Sequence, residues 1–495
     1  MGQNLLSAVV PVSAAIARTV GSGGRAEAQG GPMSNFFPKE QPMAANRPRP
    51  RIRSRRRTTT IAAVALTAGL ALTAAACSSS GSGGGGGGGA TTLKMITWVN
   101  PPAVQALKKI NTEFHQKYPN ITVKLQTAAN VNGPYATLLQ QTVNSSSADI
   151  VTSVLPLQSP LPLNPTRKNE SPWQFFTTSG AFADLTGQSF LSSYKPSEVG
   201  DETYKGKVYG LVSGTYQEGV FYNKQTFARY HLSVPTTYNQ FLALCQTLKS
   251  KGVQPLYTAL GNVGPVYLQF MYYEAMIDLW YPHAPGGNLA TALEKGTAKW
   301  TDPLFVQSMN EEKAVAKYLE PNYTGVPWES MPGDFASGKG AMLLDGSWDL
   351  PLIQQANAKV QVGFFPLPFS NTAADNQPYV SDNLTFSVLN ASPNKAAAEK
   401  WLAFFSTPSI YSQYVNITGI SPSQKTGSFS GYAAKAMGTW FGKGVNQNVS
   451  YPPLGPSNGY YDQQANWPNL QLSVIQGKET AQQAAATYAK DWTAP

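Results

Sequence analysis

The sequence predicts an α/β chain folded as two lobes, each discontinuous in sequence and joined by hinge strands. Three observations predict it. The 495 residues exceed one simple core, so the chain left after a leader and a linker divides into two bodies of ordinary domain size. Strand, helix, strand, helix, strand periodicities follow one another from Thr92 to Val151, the order of a parallel sheet with both faces covered. A strand-like segment and a helical one reappear at Asn383 to Phe405 after a run of different elements, which brings the chain back to its first lobe. The expected divisions are residues 1–76 (leader), 77–91 (tether), 92–212 plus 367–417 (first lobe) and 213–366 plus 418–495 (second lobe).

The formal charge of +10 belongs mostly to the leader. Residues 1–76 hold 10 of the 37 Lys and Arg and 2 of the 27 Asp and Glu, which leaves +2 for the remainder and removes the main support for nucleic-acid binding. Arg47 to Arg57 is cationic, Ile61 onward is apolar, and small residues run to Cys77. This is the pattern of an export signal, too short and small-sided for a comfortable membrane span. It is similar to a bacterial lipoprotein signal, departing at Ala74, where that pattern usually has Leu. The similarity implies cleavage before Cys77 and a lipid on its thiol; plain secretion after an Ala is the alternative. The SSSGSGGGGGGG run after Cys77 forms no core and acts as a flexible tether.

In the first lobe, TLKMITW (Thr92 to Trp98) reads as a strand and Pro102 to Tyr118 as a helix, with apolar residues at Val104, Leu107, Ile110 and Phe114. Ligands of parallel sheets sit beyond the carboxyl ends of strands, which points to Trp98 and Asn100. Further on, a lobe crossing near Ser213 to Glu218 would put Tyr216, Gln217 and Glu218 on a cleft wall. The helix around Cys245 has that thiol on its apolar side, buried and inert. Val266 to Tyr281 is apolar almost all round and predicts a buried helix, and Thr301 to Glu320 predicts a helix with Asp302 at its N-cap. Phe335 to Trp348 (FASGKGAMLLDGSW) predicts a helix end, a glycine turn, a buried strand over Ala341 to Leu344 and a second turn delivering Trp348, the candidate ligand-stacking platform. A second crossover is expected at Pro366 to Pro368, and YPPLGPSNGYYDQ reads as a loop.

Enzymatic motifs fail on inspection. GDFASGKG (Gly333 to Gly340) lacks the Ser or Thr of a phosphate loop and runs into a strand. GPSNG (Gly455 to Gly459) satisfies a nucleophile-elbow pattern, but all three histidines precede it, against the chain order of that fold. Three scattered His and one body Cys give no metal cluster, and no cofactor is expected. Glu218 and Asp462 remain a carboxylate pair for glycoside chemistry, their separation being unreadable from sequence.

FHQKYPNITV, ADIV, GKVYGLVSG with FYNKQTF, FASGKGAMLLDGSW, NASPNKAAAEKWLAFF, and YYDQ with QGKETAQQAA together resemble the extracellular solute-binding lipoproteins of bacterial ABC transporters of the carbohydrate-uptake class, family 1, the maltose-binding-protein-like group. The resemblance spans about Thr92 to Trp492. It implies a class II periplasmic-binding-protein-like fold that closes on a mono- or oligosaccharide and delivers it to permease subunits: a monomer, not an enzyme, anchored through Cys77 on the outer face of the cytoplasmic membrane. By position it implies that Trp348 stacks on a sugar ring, that Trp98 and Asn100 line the cleft, and that Tyr216, Glu218, Asp382, Asn383, Tyr461 and Asp462 supply aromatic faces and hydroxyl partners. Aromatic rings suit the apolar C–H faces of a sugar and carboxylates its hydroxyl rim. A secreted glycoside-active enzyme and a binder of a non-sugar solute are the alternatives.

Overall fold

The computed structural model describes residues 89–129, 134–153, 172–287, 289–427, 429–445 and 460–493. Cys77 and Gly455 to Gly459 lie outside the described residues. The strands are β1 (Thr91–Trp98), β2 (Ile121–Ala128), β3 (Ile150–Ser153), the short β4 (Thr203–Tyr204) and β5 (Lys207–Val208), and β6 (Leu211–Val212). They continue with β7 (Thr215–Asn223), β8 (Leu256–Tyr257), β9 (Met342–Gly346), β10 (Val362–Phe365), β11 (Val380–Asp382) and β12 (Thr385–Val388).

Two five-stranded sheets result. The first has the order β2-β1-β3-β12-β6; the second runs β10-β7-β9-β8, with β11 also paired to β7. The β1–β2 ladder is parallel and continuous from Thr91 opposite Ile121 to Trp98 opposite Ala128, and β3 pairs parallel on the other side of β1. Helix Pro101–Lys117 joins β1 to β2. Asn100 caps it, its side chain accepting from the Ala103 N–H, while Ala103, Leu107, Ile110 and Phe114 recur at helical spacing and are buried. They pack with Phe386, Trp401 and Phe405 in the first core, where Trp401 Nε1 donates to Asn111 Oδ1 at 2.8 Å.

The Asp of ADIV is a bracket. Asp149 accepts from Lys94 N (2.7 Å), Ser392 Oγ (2.6 Å) and Asn394 Nδ2 (3.1 Å), tying the start of β3 to β1 and to the loop after β12. Cys245 is buried, and burial pushes its thiol up.

Several expectations are corrected. The return to the first sheet comes at Leu384 and Thr385, not at Pro366 to Pro368. Leu367 and Phe369 pack in a second-lobe core, and β11 still pairs antiparallel with β7; three residues carry too little pattern to be read as a strand. The junction is also more than a pair of strands. Ser213 N donates to Leu384 O (2.7 Å), Asn383 N to Gly214 O (2.8 Å), and Thr215 and Ser421 exchange two backbone bonds (2.9 and 2.7 Å), so three chain segments meet there. Val266 to Tyr281 is not one helix. It is a 3-10 turn (Pro265–Leu268), an α-helix (Gln269–Ala275), a π turn (Met276–Trp280) and another 3-10 turn (Tyr281–His283). The π turn carries Asp278, whose carboxyl accepts from Phe369 N (2.9 Å) and Gln377 N (3.2 Å), so a buried polar bracket breaks the α-helical repeat where periodicity alone extends it. Asp302 stands at the N-cap of helix Pro303–Ala316, but its side chain makes no cap bond.

Candidate functional site

The FASGKGAMLLDGSW stretch folds as helix Met331–Ala336, a turn with Gly338 at φ +88°, strand β9 and a single 3-10 turn Ser347–Asp349. Glycine suits the left-handed backbone at 338. Lys339 pairs with Asp334 at 2.7 Å, so the residue that mimics a phosphate-loop lysine is engaged by its own helix. The strand runs two residues beyond the expected Leu344, because Asp345 and Gly346 still pair with Gly219 and Glu218 of β7.

This register builds the site. Alternate residues of a strand share a face and directly opposite residues of an antiparallel pair lie on the same side, so Tyr216, Glu218 and Gly346 face one way. The Trp348 indole folds back over Gly346; any Cβ at 346 would run into its six-membered ring. Tyr216 meets Trp348 edge-to-face, with ring centroids 4.8 Å apart and planes at 78°, and Phe270 closes the other contact at 6.1 Å. Both Trp348 and Tyr216 are half-buried, and the pair forms an aromatic corner.

Behind it lie carboxyl groups. Glu218 is fully buried; Gln269 Nε2 donates to its Oε1 at 2.6 Å, while Oε2 has no hydrogen-bond partner. Burial pushes Glu218 up to about 8. Asp345 and Asp349 bond to one another through their side chains: burial holds Asp345 well above the usual carboxylate range, with the Asp349 charge adding to it, and pushes Asp349 up to about 7. The Tyr267 hydroxyl is raised by burial and by the charges of Asp349, Asp345 and Glu218. No Lys or Arg ion-pairs with Glu218, Asp345 or Asp349 among the described residues. Among those residues, too, no group of three or more His, Cys, Asp or Glu is placed to hold a metal.

The structure brings Trp348, Tyr216 and Glu218 together. Trp98 packs in the first-lobe core, 9% exposed, edge-on to Tyr135 at 5.6 Å. The Asn100 carbonyl oxygen is engaged in capping. Asp382 is paired opposite Thr215, which puts it on the face of β7 turned away from Tyr216. It is 1% exposed with both oxygens unpartnered, held well above the carboxylate range by burial and by Asp201, Glu198 and Glu202. Asn383 Oδ1 accepts from the Leu384 N–H at 2.9 Å. Tyr461 and Asp462 fall in helix Tyr460–Ile475 rather than in a loop, and their side chains lie outside the described residues. Sequence reasoning passed over Gln269 and Phe270, which touch Glu218 and Trp348 but sit in a run apolar almost all round, where only Tyr267 reads as a weak cleft candidate.

Two α/β sheets joined by three crossing segments, with an aromatic corner on a strand at the junction, define a two-lobe solute-binding fold. The chain belongs to the family described as bacterial extracellular solute-binding protein, which matches residues 98–411, well over half its length. It is therefore a binding protein, not an enzyme, and the glycoside-active alternative built on Glu218 and Asp462 falls away. Among curated relatives it is 24% identical over 315 residues to the multiple sugar-binding protein of Streptococcus mutans, covering 63% of this chain and 70% of that one. The fold matches the solute-binding protein RafE in complex with raffinose (TM-score 0.65, 18% identity, 81% of this chain and 98% of that one). A chitin oligosaccharide binding protein matches similarly (TM-score 0.65, 20% identity, 81% and 97%). These likenesses establish the class II two-lobe architecture.

Proposed function

We propose that this chain captures a mono- or oligosaccharide between its lobes and delivers it to an ABC permease, working as a monomer on the outer face of the cytoplasmic membrane. The observation that carries this reading is the Trp348–Tyr216 corner beside Gly346. A half-buried indole set edge-to-face on a tyrosine offers a rigid apolar plane to a sugar ring, with acids and amides near it for hydroxyls. The relatives named for multiple sugars, raffinose and chitin oligosaccharides support a sugar over a peptide or polyamine. Trp348 and Tyr216 stack on the ring. Asn100, Asn383, Tyr461 and Asp462 complete the cleft as the lobes close about the segments at Ser213 to Thr215, Asp382 to Leu384 and Ile420 to Ser423. Closure follows from ligand contacts to both lobes, since only differential affinity shifts an open–closed equilibrium.

Cys77 carries the lipid and the Gly-rich run is the tether; among the described residues no helix is long and apolar enough to cross a membrane. Titrating the protein with raffinose, stachyose, maltotriose and chitotriose, followed by tryptophan fluorescence and calorimetry, tests the binding claim. Absence of binding by wild type, or undiminished binding by Trp348→Ala, refutes it. Cys77→Ser releasing the protein from cells into the medium tests the anchor, and an unchanged membrane fraction refutes that part.

A further inference from the structure

The sequence places Glu218 among ligand-contacting groups, yet its carboxyl is fully buried, and the side chain bonded to it is the half-buried Gln269. Phe270, the next residue, packs on Trp348, and Glu218 stands opposite Gly346, which the indole covers. Gln269 thus borders the aromatic corner. We propose that Gln269 is a ligand-reading side chain of this site and that Glu218 is its positioning residue, fixing which end of the Gln269 amide the ligand meets. This rests on the cleft reading above.

The reasoning is one of donors and acceptors. A primary amide has two donors at one end and an acceptor at the other, and a carboxylate only accepts. An ionised Glu218 therefore holds the NH2 end inward, as in the 2.6 Å bond from Gln269 Nε2 to Glu218 Oε1, and leaves Gln269 Oε1 to meet a hydroxyl that donates. A neutral carboxyl has a donor of its own and bonds the reversed amide equally well. That turns the NH2 end toward a ring or glycosidic oxygen. Burial pushes Glu218 up to about 8, so the exchange falls at roughly pH 7 to 9. The titratable groups facing Glu218 are Asp345 at the end of β9, Glu274 from the helix of Gln269 itself and Tyr267 from the turn before it, with Asp349 bonded behind Asp345. All are acids, so none supplies a compensating positive charge, and Glu218 Oε2 has no bond that would fix its proton elsewhere.

The test is calorimetric titration with raffinose, stachyose, maltotriose and chitotriose between about pH 6 and 9.5, on wild type, Gln269→Leu, Glu218→Gln and Trp348→Ala, each checked for an unshifted melt. With the sugar that wild type binds most tightly, Gln269→Leu should lose about tenfold in affinity. Wild-type affinity should change about threefold or more through pH 8, and Glu218→Gln should flatten that profile. Gln269→Leu binding within about twofold of wild type, with Trp348→Ala still defective, overturns the inference and leaves the cleft reading standing. A Glu218→Gln profile superimposable on wild type overturns the role of Glu218. Wild type binding none of the four sugars overturns both readings. Should Glu218→Gln fold poorly, the Gln269 side-chain amide resonance in wild type gives the same answer: it shifts with Glu218 ionisation, or it stays constant and the positioning role is refuted.

Discussion

The Trp348 indole lies so close over the Cα of Gly346 that a methyl group at 346 would overlap its six-membered ring. Glycine here is a steric requirement of the platform, since the backbone at 346 is ordinary extended chain (φ −102°, ψ 160°). Gly346→Ala should displace the indole and weaken sugar binding by about tenfold or more, at a stability cost of about 1–3 kcal/mol from overpacking. Calorimetry and a urea melt on one sample separate the two effects. Wild-type affinity in Gly346→Ala would show that the indole position is irrelevant to binding.

Asp149 gives the opposite kind of prediction. It bonds Lys94, Ser392 and Asn394 far from the aromatic corner. Asp149→Ala should cost about 2–4 kcal/mol by leaving buried donors unpaired, with sugar affinity unchanged once the protein is folded. Loss of affinity without loss of stability would contradict the scaffold role.

At the junction, Gln217 is fully buried. Its amide nitrogen donates to the carbonyls of Trp440 and Lys443, and its oxygen accepts from Ser421 Oγ at 2.5 Å. Gln217→Ala strips partners from chain segments far apart in sequence and should destabilise the protein by about 2–4 kcal/mol. Denaturant unfolding reads this directly, and a change below about 0.5 kcal/mol would mean water replaces the amide there.

Stability should fall as pH rises. Glu218 and Glu312 are pushed up to about 8 and Asp349 to about 7 by burial. Each folded value lies above the unfolded one, so the folded chain holds extra protons. The stabilisation is complete below the unfolded carboxylate range, near pH ~4, and is lost as pH climbs through about 7 to 8. Urea midpoints should decline from about pH 5 to 8.5. In Glu312→Gln, whose side chain still reaches Gln471, the decline should be shallower. A flat wild-type profile would refute the assignment of buried neutral acids.

How much of this was legible in the sequence depends on what each residue answers to. The β1, β2, β3 order and the helix from Pro101 follow from local periodicity, and the turn at Gly338 from glycine chemistry. The placement of Trp348 just past a strand end was readable because GSW follows a buried strand. The position of Glu218 relative to solvent was not readable. It depends on Gln269 packing in front of it, a contact 51 residues away in sequence. The late return at Leu384 was hidden because β11 has three residues and its partner β7 fixes it. Trp98 looked like a strand-end ligand group, yet Tyr135 of helix Pro134–Ser145 packs against it.

Strand β12 sits between β3 and β6 in the interior of the first sheet, although more than two hundred residues of chain separate it from β3. During synthesis the ribosome completes every strand of the second sheet, from Thr215 to Asp382, before residue 388 exists to close the first. The sheet that opens the folded chain is thus the one whose last strand is made last. Such long-range closure slows folding. A frameshift or nonsense mutation anywhere before β12 would leave neither lobe as a salvageable fragment, since the first would lack an interior strand and the second would lack its terminal helices.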